Sequence, residues 1–391
     1  MKKIFYYCQH VLGIGHYFRT LEICKALKNH DVILLNGGPP IDVIKPSGIR
    51  EINLPGIIMD EDFNELQPVD PRKRLEDVKK ERKEILINLF KNEKPDLFII
   101  ELYPFGRKAF QFELDIILSG IRTGQLPGCP VICSLRDILV EKKDPDSYER
   151  RVVNILNNNF DALLVHSDPS LISLEETFDS IAKIDIPIIY TGFIAPEPDP
   201  ESGKRLRRNL RINDKEFLLV ASAGGGKVGF NLLENTVRAL ALLETERPLH
   251  SFIFTGPFMD EEKFSLLKSL AGIRTNVRRF TDDFLSYMKA ADLSVSMAGY
   301  NTCMNILASR VSAIVYPFSQ NREQLIRSEK LAQLGVLEIL NDDLNPSDLA
   351  DSIKIRISNR NRQRTPVNVD LKGAQNTASW VVSMFNAEVL R

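Results

Sequence analysis

The feature that most narrows the folds open to this chain is a repeated alternation of short, nearly unbroken apolar runs with amphipathic stretches. The runs "KIFYYC" (3–8), "DVILLN" (31–36), "DLFIIE" (96–101), "PVICSL" (130–135), "DALLVH" (161–166) and "IPIIYT" (186–191) show no polar alternation. Strands of that kind are buried on both faces, as in a parallel sheet. Helical stretches separate them, the longest being residues 71–94. The pattern breaks at "GFIAPEPDPESGKR" (192–205), where three prolines and three acidic residues crowd together without apolar periodicity. Such a segment reads as an interdomain linker. The alternation then restarts with "EFLLVASAGGG" (216–226), "SFIFTGP" (251–257), "ADLSVSMAG" (291–299), "VSAIVYPF" (311–318) and "VLEIL" (336–340). Two βα series joined by one linker predict an α/β protein of two doubly wound, Rossmann-like domains, 1–195 and 196–372. The final run, 373–391, is expected to be a helix packing back on the domain junction.

Length agrees with more than one core, since 391 residues exceed what a single ordinary domain buries. A formal net charge of −1 gives no global attraction to nucleic acid, which is not expected as a partner. Five cysteines (Cys8, Cys24, Cys129, Cys133, Cys303) sit in mostly apolar segments, as expected of reduced thiols. A strand begins within three residues of Met1, with no signal-peptide pattern, and no apolar run approaches the ~18 residues of a membrane span. A soluble, cytoplasmic protein is expected. The basic stretch "RKRLEDVKKERKEILINLFK" (72–91) interleaves Glu76, Asp77, Glu81 and Glu84, so a solvated mixed face is expected rather than a membrane-binding one.

Ligand-type residues cluster where strands give way to helices. In the first half, "VLGIGHYFRTLEICKAL" (11–27) places Gly13, Gly15 and His16 after a buried strand and before helical spacing of Tyr17, Leu21 and Cys24. Open α/β sheets collect their ligands at such turns. In the second half, Gly224, Gly225 and Gly226 follow a strand and precede a helix. Glycines allow the backbone to approach an anion, and a helix N-terminus favours one. The loop lacks the Lys-Ser/Thr pair of a Walker motif. Gly224, Gly226 and Gly229 spell G-x-G-x-x-G, but the next strand ends without the acid that would hold a dinucleotide ribose. Further on, Gly299, Asn301 and Thr302 end one strand, and Glu323 and Gln324 follow the next. Polar groups aimed from adjacent strand ends suit a polyhydroxyl ligand, or equally serve as helix caps.

The segments "SMAGYNT" (296–302), "PF" (317–318) and "REQ…RSEKLAQLG" (322–335) resemble the donor domain of GT-B glycosyltransferases. The resemblance is to the group related to the lipid-intermediate N-acetylglucosaminyltransferase of peptidoglycan synthesis, with a family 28-like C-terminal domain. A bacterial group of predicted glycosyltransferases also resembles "GIGHYFRTLEICKAL", "ELYPFGRKAFQFEL" (101–114), "SLRDIL" (134–139) and "LVHSDPSLISLEETF" (164–178), so the likeness runs through both halves. It implies a GT-B fold with the two domains facing across a cleft. It implies further that Gly224–Gly226 and Gly299, Tyr300, Asn301 and Thr302 hold the diphosphate of a nucleotide sugar, UDP in the first instance. The backbone at Phe280 and Thr281 would read the base, and Glu323 and Gln324 would bind sugar hydroxyls. Relatives usually carry a ribose-gripping Glu six residues after the turn glycine. Here that position is Asn305, which makes a 2′-deoxyribose donor or a weakened activity more plausible.

Inverting sugar transfer needs a base for the acceptor hydroxyl and stabilisation of the leaving diphosphate. His16 is the candidate base, since an imidazole at a helix N-terminus is disfavoured from protonating. Glu101, ending the strand "DLFIIE", is its expected carboxylate partner, with Asp137 the second choice. Arg19 would meet phosphate or form a salt bridge, and Arg107 of "FGR" would face the acceptor pocket or solvent. His166 and His10 are secondary candidates, while His30 and His250 look like surface loop residues. Enzymes that this resemblance points to generally need no metal, which fits a sequence with no D-x-D motif at a strand end, "DPD" (144–146) lying in a loop. No metal and no cofactor beyond the nucleotide-sugar donor are expected. The acceptor stays open: a small molecule, a glycan or a lipid-linked hydroxyl. Two alternatives stand beside the transferase: a nucleotide-sugar hydrolase passing the sugar to water, and a nucleotide-sugar-binding protein that has lost catalysis.

Overall fold

The structure is a computed structural model, and it describes residues 1–10, 15–39, 48–59, 65–243, 248–318, 322–341, 343–359 and 367–389. The chain divides into two compact units, residues 1–194 with 369–391, and residues 195–368.

The first unit begins with β1 (Lys3–Cys8), α1 (Gly15–Ala26), β2 (Asp31–Asn36) and β3 (Ile49–Asn53). A two-stranded antiparallel excursion follows, β4 (Ile57–Met59) with β5 (Leu66–Pro68). Then come α2 (Leu75–Glu93), β6 (Leu97–Glu101), α3 (Gln111–Arg122), β7 (Val131–Arg136), α4 (Pro145–Asn159), β8 (Ala162–His166) and β9 (Ile188–Tyr190). Seven parallel strands form its sheet in the order β3-β2-β1-β6-β7-β8-β9. The inner strands are buried throughout, as expected for apolar runs covered by helices on both faces. On one face Phe5, Phe90, Phe98 and Leu114 pack together, and on the other Ile4, Tyr6, Tyr17 and Leu21 do so.

The second unit runs α5 (Ser202–Leu210), β10 (Phe217–Ser222), α6 (Phe230–Leu242), β11 (Leu249–Phe254), α7 (Glu261–Leu270), β12 (Thr275–Arg278) and α8 (Phe284–Ala290). It continues with β13 (Leu293–Met297), α9 (Tyr300–Ser309), β14 (Ser312–Tyr316), α10 (Arg322–Gln333), β15 (Leu337–Ile339) and α11 (Pro346–Ser358). Its six parallel strands lie in the order β12-β11-β10-β13-β14-β15. In both sheets the order reverses beside the first strand, which creates a switch point between β1 and β6 and another between β10 and β13.

The last helix, α12 (Gly373–Val389), belongs to the first unit, where Ala374, Val381 and Phe385 join the core around α1 and β1. Helix α2 starts at Leu75, four residues later than the start of the expected helical stretch 71–94. Its exposed pairs Arg74–Asp77, Lys79–Glu76 and Lys73–Glu81 make the mixed solvated face. One arginine of that stretch is not on the surface. Arg82 is fully buried and donates to both carboxylate oxygens of Glu113, at 2.8 and 2.6 Å, and to Gln9, Gly37 and Pro55. His250, expected in a loop, lies in β11. Among the described residues, no helix is long and apolar enough to cross a membrane.

Candidate active site

In the first unit the switch point brings the start of α1 beside the end of β6. Gly15 and His16 occupy the first turn of α1 rather than the preceding loop, and Gly13 lies outside the described residues. His16 Nδ1 is 2.6 Å from Oε1 of Glu101, the last residue of β6. Arg19, one turn further along α1, donates to the same Oε1 and lies 3.0 Å from His16 Nδ1. An ionised carboxylate only accepts hydrogen bonds, so Nδ1 carries the imidazole proton and Nε2 keeps its lone pair. The side chain of His16 is one-fifth exposed, at 20%, while those of Glu101 and Arg19 are buried at 1% and 4%.

These surroundings set the charge states. Burial holds the His16 imidazole down to about 3, with the Arg107 charge adding to it against the opposing pull of Glu101. The ring is therefore neutral throughout the physiological range. Burial alone would raise Glu101, but His16, Arg19 and Arg107 together bring its carboxyl well below the usual range. Of the two roles open to Arg19, phosphate contact or a salt bridge, the structure shows the salt bridge, to Glu101 and buried rather than on the helix surface. Asp137, the second-choice partner, is wholly buried just past β7, and it is Glu101 that touches His16. His166 ends β8 fully buried, with Nε2 2.6 Å from Ser134 Oγ and Nδ1 2.8 Å from Thr191 Oγ1. Both ring nitrogens are used, so it is a packing histidine. His10 is buried against Gly38 and Pro39, its Nε2 2.9 Å from the Pro39 carbonyl. Asp144 of "DPD" caps α4, accepting the Ser147 amide at 3.1 Å.

In the second unit the glycine loop Gly224–Gly226 leaves the end of β10. Gly226 has φ of +93°, and a Cβ there would lie 2.5 Å from the Thr255 carbonyl oxygen. The facing Gly256, with φ of +88°, would place a Cβ 2.4 Å from Gly224 O. Two loops therefore touch backbone to backbone, which only glycine permits. Gly224 and Gly299, in contrast, would direct a Cβ into open space. Gly299 is the N-cap of α9, and it supplies no side chain to the helix end. Tyr300, Asn301 and Thr302 form the first turn of that helix rather than a loop, so their amides have no intrahelical acceptor. The loop and the helix end flank the second switch point. Asn305 follows one turn later on α9. Phe280 and Thr281 lie between β12 and α8, Phe280 40% exposed and Thr281 accepting the Asp283 amide.

Glu323 and Gln324 open α10, but each spends an oxygen on the protein itself. Glu323 Oε1 pairs with Arg327 Nη2 at 3.2 Å, and Gln324 Oε1 accepts the Phe318 amide at 3.0 Å. Arg327 is fully buried, lies over the Tyr300 ring at 5.3 Å and reaches the Ala298 carbonyl at 3.5 Å. It staples α10 to the turn before α9. The i,i+4 spacing of Glu323 and Arg327 was visible in the sequence, but their burial was not.

Residues 220–378 match the glycosyltransferase family 28 C-terminal domain. An uncharacterized glycosyltransferase of Methanopyrus kandleri is 23% identical over 53% of this chain and 58% of its own length. A transferase of Clostridium perfringens, named for moving N-acetylglucosamine from UDP-N-acetylglucosamine to N-acetylmuramyl-(pentapeptide) pyrophosphoryl-undecaprenol, is 28% identical over 42% of this chain and 44% of its own. The chain thus spans about half the length of these curated relatives. MurG of Acinetobacter baumannii superimposes with a TM-score of 0.54 at 15% identity, covering 99% of this chain and 100% of that one. The chain accordingly has the fold of the GT-B glycosyltransferases, and its second half carries a glycosyltransferase family 28 C-terminal domain.

Proposed function

We propose that the chain is an inverting glycosyltransferase that moves a sugar from a nucleotide diphosphate sugar to an acceptor hydroxyl without a metal ion. The observation that carries this reading is the His16–Glu101 pair at the first switch point, with a neutral ring whose Nδ1 proton faces the carboxylate. Nε2 then takes the acceptor proton as the new glycosidic bond forms. The positive charge that develops on the ring is balanced by Glu101, which holds the imidazole in one tautomer. The second unit contributes the donor site. The uncapped start of α9 and the Gly224–Gly226 loop offer backbone amides to the diphosphate, whose leaving charge a helix N-terminus favours. A UDP sugar is the proposed donor, in keeping with the C. perfringens relative.

The test is calorimetry with UDP, dTDP and GDP sugars, followed by transfer and acceptor-free release assays on wild type and His16→Ala. Binding of one nucleotide series, slow release without acceptor and loss of turnover in the variant at unchanged nucleotide affinity are expected. Absence of nucleotide binding overturns the reading, and rapid release to water replaces the transferase with a hydrolase.

A further inference from the structure

The loop after β6 holds a guanidinium, that of Arg107, whose Nε and Nη2 have no hydrogen-bond partner among the described residues. Arg107 takes a left-handed backbone conformation, φ 58°, which costs energy in any residue other than glycine. The loop around it is tied down from several sides. Leu102 N–H donates to the Ser134 carbonyl at 2.9 Å, Tyr148 O–H donates to the Phe105 carbonyl at 2.8 Å, and Arg151 Nη2 donates to the Pro104 carbonyl at 3.0 Å. Held in this way, Nε and Nη2 of Arg107 are removed from solvent with no hydrogen-bond partner. Burial with no partner is among the more expensive states of a polar group, and a bound ion is one of the things that relieves it.

The electrostatic setting says what kind of ligand. The Arg107 charge acts on His16, His10 and Glu101, so it is felt at the proposed base. Arg136, at the end of β7, acts on Arg107 and on Lys142, and Arg151 acts on Lys142. Glu101 is the carboxylate that opposes Arg107 most strongly, and it already accepts from Arg19 and His16. A planar fork of unused N–H donors, with Arg136 close enough to act on the same guanidinium, matches an oxyanion, which a guanidinium can grip with two parallel bonds.

We infer that Arg107 anchors an anionic group, a phosphate or a carboxylate, carried by the acceptor close to the hydroxyl that reacts. This rests on the proposed transferase reading and narrows its acceptor to a phosphorylated or acidic molecule.

The experiment titrates inorganic phosphate, acetate and UDP separately into the full-length wild type, Arg107→Met and Arg107→Lys, and records each variant's Tm. In the wild type, phosphate or acetate binds, and the tighter of the two names the anion. Arg107→Met weakens that binding at least tenfold, Arg107→Lys falls between, and UDP affinity stays within twofold. The Met variant melts no lower than wild type, because no hydrogen bond within the protein is lost. Failure of the wild type to bind either anion overturns the inference, as does equal binding by Arg107→Met. A parallel loss of UDP binding also overturns it, since the guanidinium would then serve the donor diphosphate. UDP binding in the wild type reports on the transferase reading independently of these outcomes.

Discussion

At the scale of single residues, the environment separates His16 and Glu101 into different roles. His16 is at the margin of the protein and Glu101 is inside it, so removing one is cheap and removing the other is not. His16→Ala should abolish turnover with a small change in Tm. Glu101→Gln should lower activity and also cost about 3 kcal/mol or more of stability, because Arg19 is left as a buried charge without its counter-ion. Parallel thermal melts and turnover assays check the contrast. Asn305 makes the opposite kind of prediction. If its side chain meets the donor ribose, Asn305→Glu should tighten a UDP sugar by about 1–2 kcal/mol through charge-assisted bonds and leave a dTDP sugar nearly unaffected, as calorimetry would show. The sequence identified His16, Glu101 and Asn305 as candidates by residue type and position. It leaves Arg19 open between a phosphate and a salt bridge, and the structure gives the salt bridge to Glu101; Glu323 and Gln324, offered to sugar hydroxyls, each also bond within the protein, to Arg327 and Phe318.

At the scale of elements, the two glycine turns work by different means. The first is the opening turn of α1, and the second is a pair of loops pressed together at the ends of β10 and β11. Gly256→Ala would drive a Cβ into Gly224 O and Gly225 C, both 2.4 Å away, at a φ of +88°. A loss of about 1–3 kcal/mol in stability is expected, with weaker nucleotide binding as the facing loop is displaced. Urea denaturation and a nucleotide titration measure the two effects. The strand ends were legible because buried parallel strands are continuous apolar runs: β1 and β2 have the bounds that the sequence predicted. Strand β3, half-exposed at the sheet edge, and the short β4–β5 pair were missed, since edge strands need little hydrophobic sequence.

For the whole molecule, two histidines, one partly exposed and one buried, couple stability to pH. His16 and His166 are both held down to about 3 by burial, against about 6.5 in an unfolded chain. Below pH 6.5 the unfolded state therefore binds protons that the folded state refuses, so stability falls as pH drops from 7 toward 3. Urea midpoints at pH 7 and pH 5 should differ in that sense, and His16→Ala should reduce the difference. Equal midpoints would show that these rings protonate in place. The closing helix is the other global feature. Phe385 on α12 is only 5% exposed within the core of the first unit, so Phe385→Ala should cost roughly 3 kcal/mol even though it lies far along the chain from the site. A thermal melt reads that loss.

Local pattern alone was enough for the α/β class, the two βα series and the placing of glycine and histidine at strand-to-helix junctions. Hydrophobic periodicity and chain geometry are short-range properties that a sequence displays directly. Which charges would be buried, and against what, was decided only by the tertiary structure. Arg82 and Arg327 look like ordinary surface arginines in the sequence, and Arg107 stands open between an acceptor pocket and solvent. The fold brings Glu113 to Arg82 and Glu323 to Arg327, and it leaves Nε and Nη2 of Arg107 without an acceptor among the described residues. Strand order sets the meeting of Arg82 with Glu113, residues far apart in the chain, and the packing of α10 buries a Glu323–Arg327 pair whose spacing alone the sequence showed.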